Sequence, residues 1–312
     1  MKNEKRISLG VVIVTYNRKE LLKECIKACQ TQSVKFSKII IVNNHSTDGT
    51  KEYLDSLDDP QLKVIHSKEN LGGAGGFHLA LKIAQQYPLD YVLLIDDDAI
   101  LNKNYNKYIV EYMNKDEKNI CGYSGCVKTN NENQYEHRRH LKKGFKQIDS
   151  RKEEYEEDYF DYELATFCGL YIKMKYIKEI GLPRKDFFIW FDDTEYCLRL
   201  LKYGKIRNIN KAYLNHKTTL TKTSGYNWKS YYGLRNNLVI LKEYYNFMDL
   251  LKAKMKMRFY ILGGKIMHLI KQDEYYTEVS EIYKNALKDA TQQNLGVNKK
   301  YTYEFKISKK EK

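Results

Sequence analysis

This chain of 312 residues has few of the features that mark linkers, membrane spans or secreted domains. It contains only 3 prolines and no Ser/Gly-rich stretch, which argues against long linkers and disordered tails. No apolar run approaches the roughly 18 residues that a membrane-spanning helix needs. The first six residues are charged and do not have the pattern of a signal peptide. We therefore expect a cytoplasmic protein with one large α/β domain and an appendage.

The six cysteines include no CxxC pair. In an intracellular chain of this size we expect free, buried thiols rather than disulfides or a zinc site. The net charge of +14 indicates a negatively charged partner, such as a phosphate-rich substrate or an anionic membrane. Aromatic and basic residues do not interleave as in the known RNA-binding modules, so we do not expect a nucleic acid partner.

The first hundred residues alternate between strand and helix patterns. Continuous apolar runs predict strands over 7–15, 38–42, 62–66 and 91–95. Helical spacing predicts helices over 18–29 and 75–86, and a third helix is predicted to run from a cap at Ser46 or Thr47 to about Leu57. This order predicts an α/β fold with a mostly parallel sheet, helices on both faces, and ligands at the carboxyl ends of the strands. We place a catalytic domain at 1–226 and a helical, basic region at 227–312.

Three adjacent carboxylates, Asp96, Asp97 and Asp98, follow the predicted strand 91–95. They repel one another unless a cation or a helix N-terminus offsets their charge. Their oxygens suit Mn²⁺ or Mg²⁺, which would stabilise a departing nucleoside diphosphate as a Lewis acid. The alternative is a turn that caps a helix. His216, at another strand end, is either a structural residue or a nitrogen ligand that completes this site.

Two further segments have the composition of ligand sites. Residues 70–77 (NLGGAGGF) lead into a helix, where glycine would let the backbone approach an anion at the helix N-terminus. They match neither a P-loop nor a dinucleotide-binding fingerprint. Residues 187–200 (FFIWFDDTEYCLRL) place Asp192, Asp193 and Glu195 after an aromatic run. These carboxylates either cap the helix, with Glu195 pairing with Arg199 at i,i+4, or act as a base beside a sugar-binding surface.

In their order along the chain, these segments resemble glycosyltransferase family 2, which comprises inverting enzymes of the GT-A fold. The resemblance covers roughly residues 7–241 and is carried by 14–18 (VTYNR), 44–50 (NHSTDGT), 70–77, 96–98, 190–195, His216 and 231–237 (YYGLRNN). The glycine segment, the triple aspartate, the WxDDxE pattern and the YxxRN pattern resemble the galactofuranosyltransferase and rhamnosyltransferase branch.

The resemblance implies a hexosyltransferase that uses a nucleotide-sugar donor, with these site residues. Donor binding is assigned to Thr15, Tyr16, Asn17, Arg18, Asn44, Asn70, Gly73, Gly76, Asp96 and Asp97. Mn²⁺ or Mg²⁺ is assigned to Asp96, Asp98 and His216. Asp193 is the implied catalytic base with Asp192 beside it, and Trp190 and Glu195 are assigned to the acceptor.

The implied donor is UDP-galactofuranose, with dTDP-rhamnose as the alternative. The implied acceptor is a glycan or lipid-linked glycan in bacterial cell-surface polysaccharide synthesis. Many family members carry an acidic residue where this chain has Asn43 and Asn44, which leaves the choice of base open. A nucleotidyltransferase or epimerase-like enzyme acting on sugar nucleotides would share the α/β core and the acidic site. It accounts less well for Asp192 and Asp193 after the aromatic run.

The C-terminal region combines many basic residues with many apolar ones. Residues 229–271 carry nine basic and two acidic residues, a net charge of +7, interleaved with apolar side chains. This pattern fits a helix that lies on anionic lipid, and equally one that packs on the catalytic domain or on a second copy in a homo-oligomer. We predict peripheral membrane association centred on residues 252–271.

Overall fold

The computed structural model describes residues 7–115, 117–217, 225–305 and 307. The chain divides into two compact units. The first comprises Met1–Lys142, Lys146–Arg184 and Asp193–Thr219, and the second comprises Lys143–Phe145, Lys185–Asp192 and Leu220–Lys312. The second unit therefore includes residues 185–192 from the predicted catalytic range, and the predicted boundary between 226 and 227 stays a prediction.

The first unit begins with alternating strands and helices. In chain order these are β1 (Leu9–Thr15), α1 (Lys19–Gln30), β2 (Lys38–Asn43), α2 (Thr50–Asp55), β3 (Leu62–His66), α3 (Gly72–Ala84) and β4 (Tyr91–Asp96). β1 pairs in parallel with both β2 and β4, and β2 pairs in parallel with β3. All seven residues of β1 are buried, as expected of a strand that is covered on both faces.

The rest of the first unit adds strands to this sheet and forms a second, three-stranded sheet. Its elements are β5 (Ala99–Leu101), α4 (Tyr105–Met113), β6 (Ile120–Thr129), β7 (Glu132–Asn133), β8 (Arg138–Lys142), β9 (Lys146–Asp149), β10 (Tyr159–Tyr162), β11 (Leu164–Ala165), β12 (Leu170–Lys173), α5 (Met174–Ile180), α6 (Asp192–Leu200) and β13 (Lys205–His216). The strand order is β10-β13-β6-β12-β4-β1-β2-β3, and β12 is antiparallel to its neighbours β4 and β6. The predicted α/β class with a mostly parallel central sheet is confirmed.

Two apolar cores lie on opposite faces of the sheet. Alternate residues of β1 point to opposite sides, so Ile13 joins the core that contains Leu22 of α1, whereas Val12 joins the core that contains Phe77 of α3. Helices therefore cover both faces, as predicted. All six cysteines are free and buried, which confirms the expectation drawn from their spacing.

The predicted start of α2 is wrong. The helix begins at Thr50 after Gly49, whose φ is 84°, and neither Ser46 nor Thr47 caps it. The Asp48 carboxylate instead accepts a hydrogen bond from the Thr50 N–H at 3.2 Å. Ser46 donates its N–H to the Asn43 side chain at 3.1 Å, so this loop is organised by asparagine and aspartate side chains.

The described residues of the second unit form three α-helices, in agreement with the predicted helical region. They are α7 (Trp228–Tyr244), α8 (Phe247–Lys271) and α9 (Glu274–Gln292). Each begins after an asparagine or aspartate whose side chain accepts a backbone N–H of the first turn: Asn227, Asn246 and Asp273. Among the helices that the structure describes, none is both long and apolar enough to cross a membrane.

Candidate active site

The acidic cluster is assembled by a pairing between two distant strands. Asp96 ends β4, and Asp97 and Asp98 form the turn into β5. β5 runs antiparallel to the end of β13, with His216 opposite Ala99. This register brings the His216 Nε2 atom to 3.3 Å from the Asp98 Oδ1 atom. The sequence placed both residues at strand ends, and the structure brings them together.

The charges of this cluster are strongly coupled. Burial, together with the neighbouring Asp98 and Asp97 carboxylates, raises the pKa of Asp96 to about 7. Burial raises the pKa of Asp97 to about 6. For Asp98, burial opposes ionisation, but His216 and Arg18 outweigh it and lower the pKa. Burial of the His216 ring opposes its protonation, but the Asp98 and Asp96 carboxylates outweigh burial and raise the pKa of His216.

The donor set fits a hard divalent cation. Asp98 Oδ1 is a buried oxygen that makes no hydrogen bond within the described chain. It lies at ion-pair distance from His216 Nε2 without hydrogen-bonding geometry. Two carboxylates and an imidazole nitrogen are ligands that Mn²⁺ accepts. Over the ranges that the structure covers, no three His, Cys, Asp or Glu side chains are already arranged to hold a metal ion.

Arg18 supplies the positive charge at this cluster. Its Nη1 atom lies 2.5 Å from Asp98 Oδ2 and 3.4 Å from Asp97 Oδ1. The side chain is 49% exposed, so the guanidinium reaches the buried carboxylates from the protein surface. Its predicted role in donor binding stays a prediction.

The other residues predicted at the end of β1 organise the strand end. Thr15 is buried and donates its hydroxyl to Asp97 Oδ2 at 2.7 Å. Asn17 has a φ of 53°, and its side-chain oxygen accepts the Thr47 N–H at 2.7 Å. Tyr16 is exposed. Thr15 thus orients Asp97, and Asn17 fixes the adjoining loop.

Asn44 fastens the end of β2 to the glycine-rich segment. Its Nδ2 atom donates to Asn70 Oδ1 and to the Gly72 carbonyl, each at 3.0 Å. Its Oδ1 atom accepts the Leu71 N–H at 2.8 Å. Both amide N–H groups and one lone pair of Oδ1 are therefore used within the protein. The predicted base contacts of Asn44 and Asn70 stay predictions.

The glycine-rich segment is the first turns of α3 and not a loop. α3 begins at Gly72, whereas we predicted a start at Gly75. A Cβ atom on Gly76 would lie 2.5 Å from the Val14 Cγ1 atom, while one on Gly73 would meet nothing within 4 Å. Close packing of helix on strand therefore accounts for Gly76, and Gly73 leaves the backbone open at the helix N-terminus.

Asp193 is the accessible carboxylate of the Asp192–Asp193 pair. Its side chain is 20% exposed and lies 4.0 Å from Arg139 Nη2, and its Oδ1 atom accepts the Thr194 hydroxyl at 3.0 Å. Asp192 is buried. Glu195 is also buried and pairs with Arg199 at 2.8 Å, which is the intrahelical pair that we weighed as the alternative. Its predicted contact with the acceptor stays a prediction.

The aromatic run before Asp193 has an unusual backbone. Phe188, Trp190 and Phe191 have φ values of 63°, 65° and 69°, a region that bulky L residues rarely adopt. Phe188 is buried, whereas Trp190 is 43% exposed. Such strain persists only where surrounding contacts enforce it, and it concentrates at functional sites.

Two residues of α7 enforce this conformation. The family pattern includes both without giving either a role. The buried Asn236 side chain donates to the carbonyls of Phe187, Ile189 and Trp190 at 3.0, 3.1 and 2.8 Å. Arg235, also buried, donates to the carbonyls of residues 186, 187 and 296. We call Arg235 and Asn236 the carbonyl clamp. The signal in the sequence is three adjacent polar residues, 235–237, within an otherwise apolar stretch of α7.

Gly233 completes the fit between α7 and the aromatic run. A Cβ atom on Gly233 would lie 2.7 Å from the Trp190 Cε3 atom, so the indole ring packs directly against the helix backbone. The tryptophan that we assigned to the acceptor is thus held by the helix that carries the carbonyl clamp.

His137 is a further site residue that the sequence did not reveal. Its ring contacts the His216 ring edge-on, with 5.2 Å between centroids, and its Nδ1 atom lies 2.7 Å from the Thr166 hydroxyl. Burial, with nearby Arg138 and His216, lowers the pKa of His137 well below its usual value. A neutral His137 therefore borders the imidazole of His216.

Comparisons with known proteins agree with this arrangement. The profile of glycosyl transferase family 2 matches residues 10–181. Galactofuranosyltransferase GlfT1 of Mycolicibacterium smegmatis is 36% identical over 88 residues, which cover 28% of this chain and 29% of that protein. Glycosyltransferase GlyG of Streptococcus pneumoniae serotype 4 is 24% identical over 114 residues, 36% of this chain and 37% of that protein. These alignments span about a third of each relative.

Solved structures support the fold. The crystal structure of GalNAc-T7 with UDP, GalNAc and Mn²⁺ superposes with a TM-score of 0.62 at 16% identity, covering 93% of this chain and 57% of that one. The architecture is therefore that of the GT-A glycosyltransferases, as the resemblance implied. Because the family profile matches more than half of the sequence, the chain belongs to glycosyltransferase family 2.

Proposed function

We propose that this protein is an inverting, metal-dependent glycosyltransferase that moves a hexose from a nucleotide sugar to a glycan acceptor in bacterial surface polysaccharide synthesis. The observation that carries the proposal is the pairing of Asp98 with His216 beside Asp96 at the carboxyl ends of the sheet strands. Family 2 membership supports the reaction class.

Asp96, Asp98 and His216 would hold Mn²⁺ or Mg²⁺. When bound, such an ion offsets the negative charge that develops on the departing diphosphate. Arg18 then leaves Asp98 and binds a phosphate oxygen, which its half-exposed position allows. The N-terminus of α3, with Gly73 open to solvent, presents backbone N–H groups toward the same anion.

Asp193 would be the general base. It takes the proton from the acceptor hydroxyl as the hydroxyl oxygen attacks the anomeric carbon opposite the departing diphosphate, which inverts the anomeric configuration. The Arg139 Nη2 atom lies 4.0 Å from the Asp193 Oδ2 atom. Asp192 is proposed to support it, and Trp190 to stack on the apolar face of the acceptor sugar.

Asp192→Asn is the matched control for Asp193→Asn in a test of the general base. Asp193→Asn should keep donor binding and lose about 10²–10⁴ in turnover, because general bases contribute rate factors of that size. Asp192→Asn should lose less. If Asp192→Asn is the inactive variant and Asp193→Asn is active, the base has been misassigned. NMR of the product should show the inverted anomer.

For the donor we propose UDP-galactofuranose, with dTDP-rhamnose as the second choice. The similarity to a galactofuranosyltransferase over 88 residues supports the first. A panel of sugar nucleotides with Mn²⁺, scored by thermal shift and by release of free nucleoside diphosphate, tests the choice. UDP-galactofuranose should give the largest shift and the fastest release.

A preference for UDP-glucose or UDP-N-acetylglucosamine would refute the donor but not the reaction class. Release from no sugar nucleotide would refute the reaction class itself.

The acceptor is proposed to be a glycan or a lipid-linked glycan. A homo-oligomer and an anionic membrane surface are the other predicted partners, and the cell location proposed with them is cytoplasmic, peripheral to the membrane.

A further inference from the structure

Helix α8 carries an exposed apolar stripe along its length. Besides Phe247 in its first turn, seven apolar side chains of this 25-residue helix are 47% to 73% exposed. They are Met248, Met255, Phe259, Leu262, Ile266, Leu269 and Ile270. At 3.6 residues per turn they fall within about 100° of the helix circumference. The helix is about 37 Å long at 1.5 Å per residue, so the stripe is a continuous linear surface.

The opposite side of α8 is already packed. Met257, which points away from the stripe, is the buried residue of this helix. A Cβ atom on Gly264 would lie 2.8 Å from the Tyr276 carbonyl of α9, and the Ser280 hydroxyl of α9 donates to the Ile261 carbonyl at 2.8 Å. Packing within the unit therefore uses the Met257 side and leaves the stripe exposed.

Basic residues border the stripe on both sides. Lys254, Arg258 and Lys265 follow one edge, and Lys252 and Lys256 follow the other. The single acidic residue of the helix, Asp249, lies in its first turn. An apolar stripe between two rows of cations is the pattern of a helix that lies in the plane of a membrane surface.

We infer that α8 binds an anionic lipid surface, with the apolar stripe in the acyl boundary and the basic rows against the lipid headgroups. A second copy of the chain fits less well. Pairing two stripes would bring the basic rows of both copies together, and no acidic row borders the stripe to neutralise them. This inference does not rest on the proposed transferase activity.

Vesicle co-sedimentation of the full chain tests the inference. We expect binding to vesicles of 30% phosphatidylglycerol and 70% phosphatidylcholine, weak binding to pure phosphatidylcholine, and a loss of binding with added salt. Each basic residue near such a surface contributes roughly fivefold in affinity. The variant with Lys252, Lys256, Arg258 and Lys265 changed to Gln should therefore bind at least 100-fold more weakly.

Two further variants separate charge from apolar contact. Changing Lys63, Lys82, Lys103 and Lys107 to Gln removes the same charge from exposed positions outside α8 and should leave binding nearly unchanged. Phe259→Ser with Leu262→Ser alters the stripe at side chains that are 73% and 59% exposed, so the fold should persist while binding falls. An unchanged circular dichroism spectrum checks the fold.

Three outcomes would overturn the inference. One is the absence of binding to the anionic vesicles at low salt, and another is equal binding to pure phosphatidylcholine. The third combines two observations. The wild type does not bind vesicles, and it forms a concentration-dependent dimer, measured by light scattering, that the double change Phe259→Ser with Leu262→Ser dissociates. That result would assign the stripe to a second copy of the chain.

Discussion

Asn236→Ala should uncouple transfer from donor cleavage, because Asn236 holds the aromatic run and not the acidic cluster. Its amide donates to three carbonyls of residues 187–190. Its two N–H groups can make two full hydrogen bonds at a time. At about 1 kcal/mol net per bond, with buried carbonyls left unpaired, the loss is about 2–3 kcal/mol.

This loss is of the same order as the backbone strain in the aromatic run. A left-handed conformation costs a bulky L residue roughly 1–2 kcal/mol, and three such residues lie between 188 and 191. Removing about 2–3 kcal/mol of restraint should therefore lower the population of the native loop conformation. Since 1.36 kcal/mol corresponds to a factor of ten, the expected decrease is roughly 30- to 150-fold.

The assay measures two rates in the same reaction. We expect acceptor-dependent transfer by Asn236→Ala to fall by roughly 30- to 150-fold, while acceptor-independent release of nucleoside diphosphate stays near the wild-type rate. Asn237→Ala is the matched control, because Asn237 lines a separate small cavity with Leu234 and Ala253. An unchanged ratio of transfer to release in Asn236→Ala, or an equal loss in Asn237→Ala, would refute the reasoning.

Three other predictions concern the acidic cluster and a surface ion pair. Asp98→Ala and His216→Ala should each weaken Mn²⁺ binding, measured by calorimetry, and abolish or sharply reduce transfer; normal Mn²⁺-dependent turnover in both would remove them as ligands. Arg18→Ala should bind Mn²⁺ more tightly without donor, because the guanidinium competes for Asp98 Oδ2, and unchanged affinity would contradict that competition. Hydrogen bonds from His140 and Lys205 outweigh burial and lower the pKa of Glu163 to about 2. Its ionised form therefore stabilises the fold above the unfolded pKa near 4.3, and that contribution is lost as pH falls toward 2. Glu163→Gln should accordingly lower the urea midpoint more at pH 7 than at pH 3, and an equal decrease would argue against the shifted pKa.

The strands and the strand-end residues could be predicted because their signals are local. The bounds of β3 agree with the apolar run 62–66, and polar clusters after such runs identified Asp98 and His216. Their contact depends on a pairing between residues more than 100 positions apart, so the sequence placed the two residues at strand ends without showing their geometry.

The late start of α3 and the missed carbonyl clamp have a common physical cause in tertiary contact. Glycine has low helix propensity, so the start of α3 was predicted three residues late. Hydrogen bonds that join Asn44, at the end of β2, to Leu71 and Gly72 hold the actual helix start. The carbonyl clamp joins Asn236 to carbonyls 46 to 49 positions away, and no periodicity in the sequence reports bonds of that kind.

The distribution of two rare residue types gives the protein natural labels. All six cysteines lie in the first unit and are buried, and burial raises the thiol pKa of Cys168, so alkylation should be slow until that unit opens. Both tryptophans, Trp190 and Trp228, lie in the second unit. Thiol alkylation and tryptophan fluorescence would therefore report the unfolding of the two units separately, in the unmodified protein.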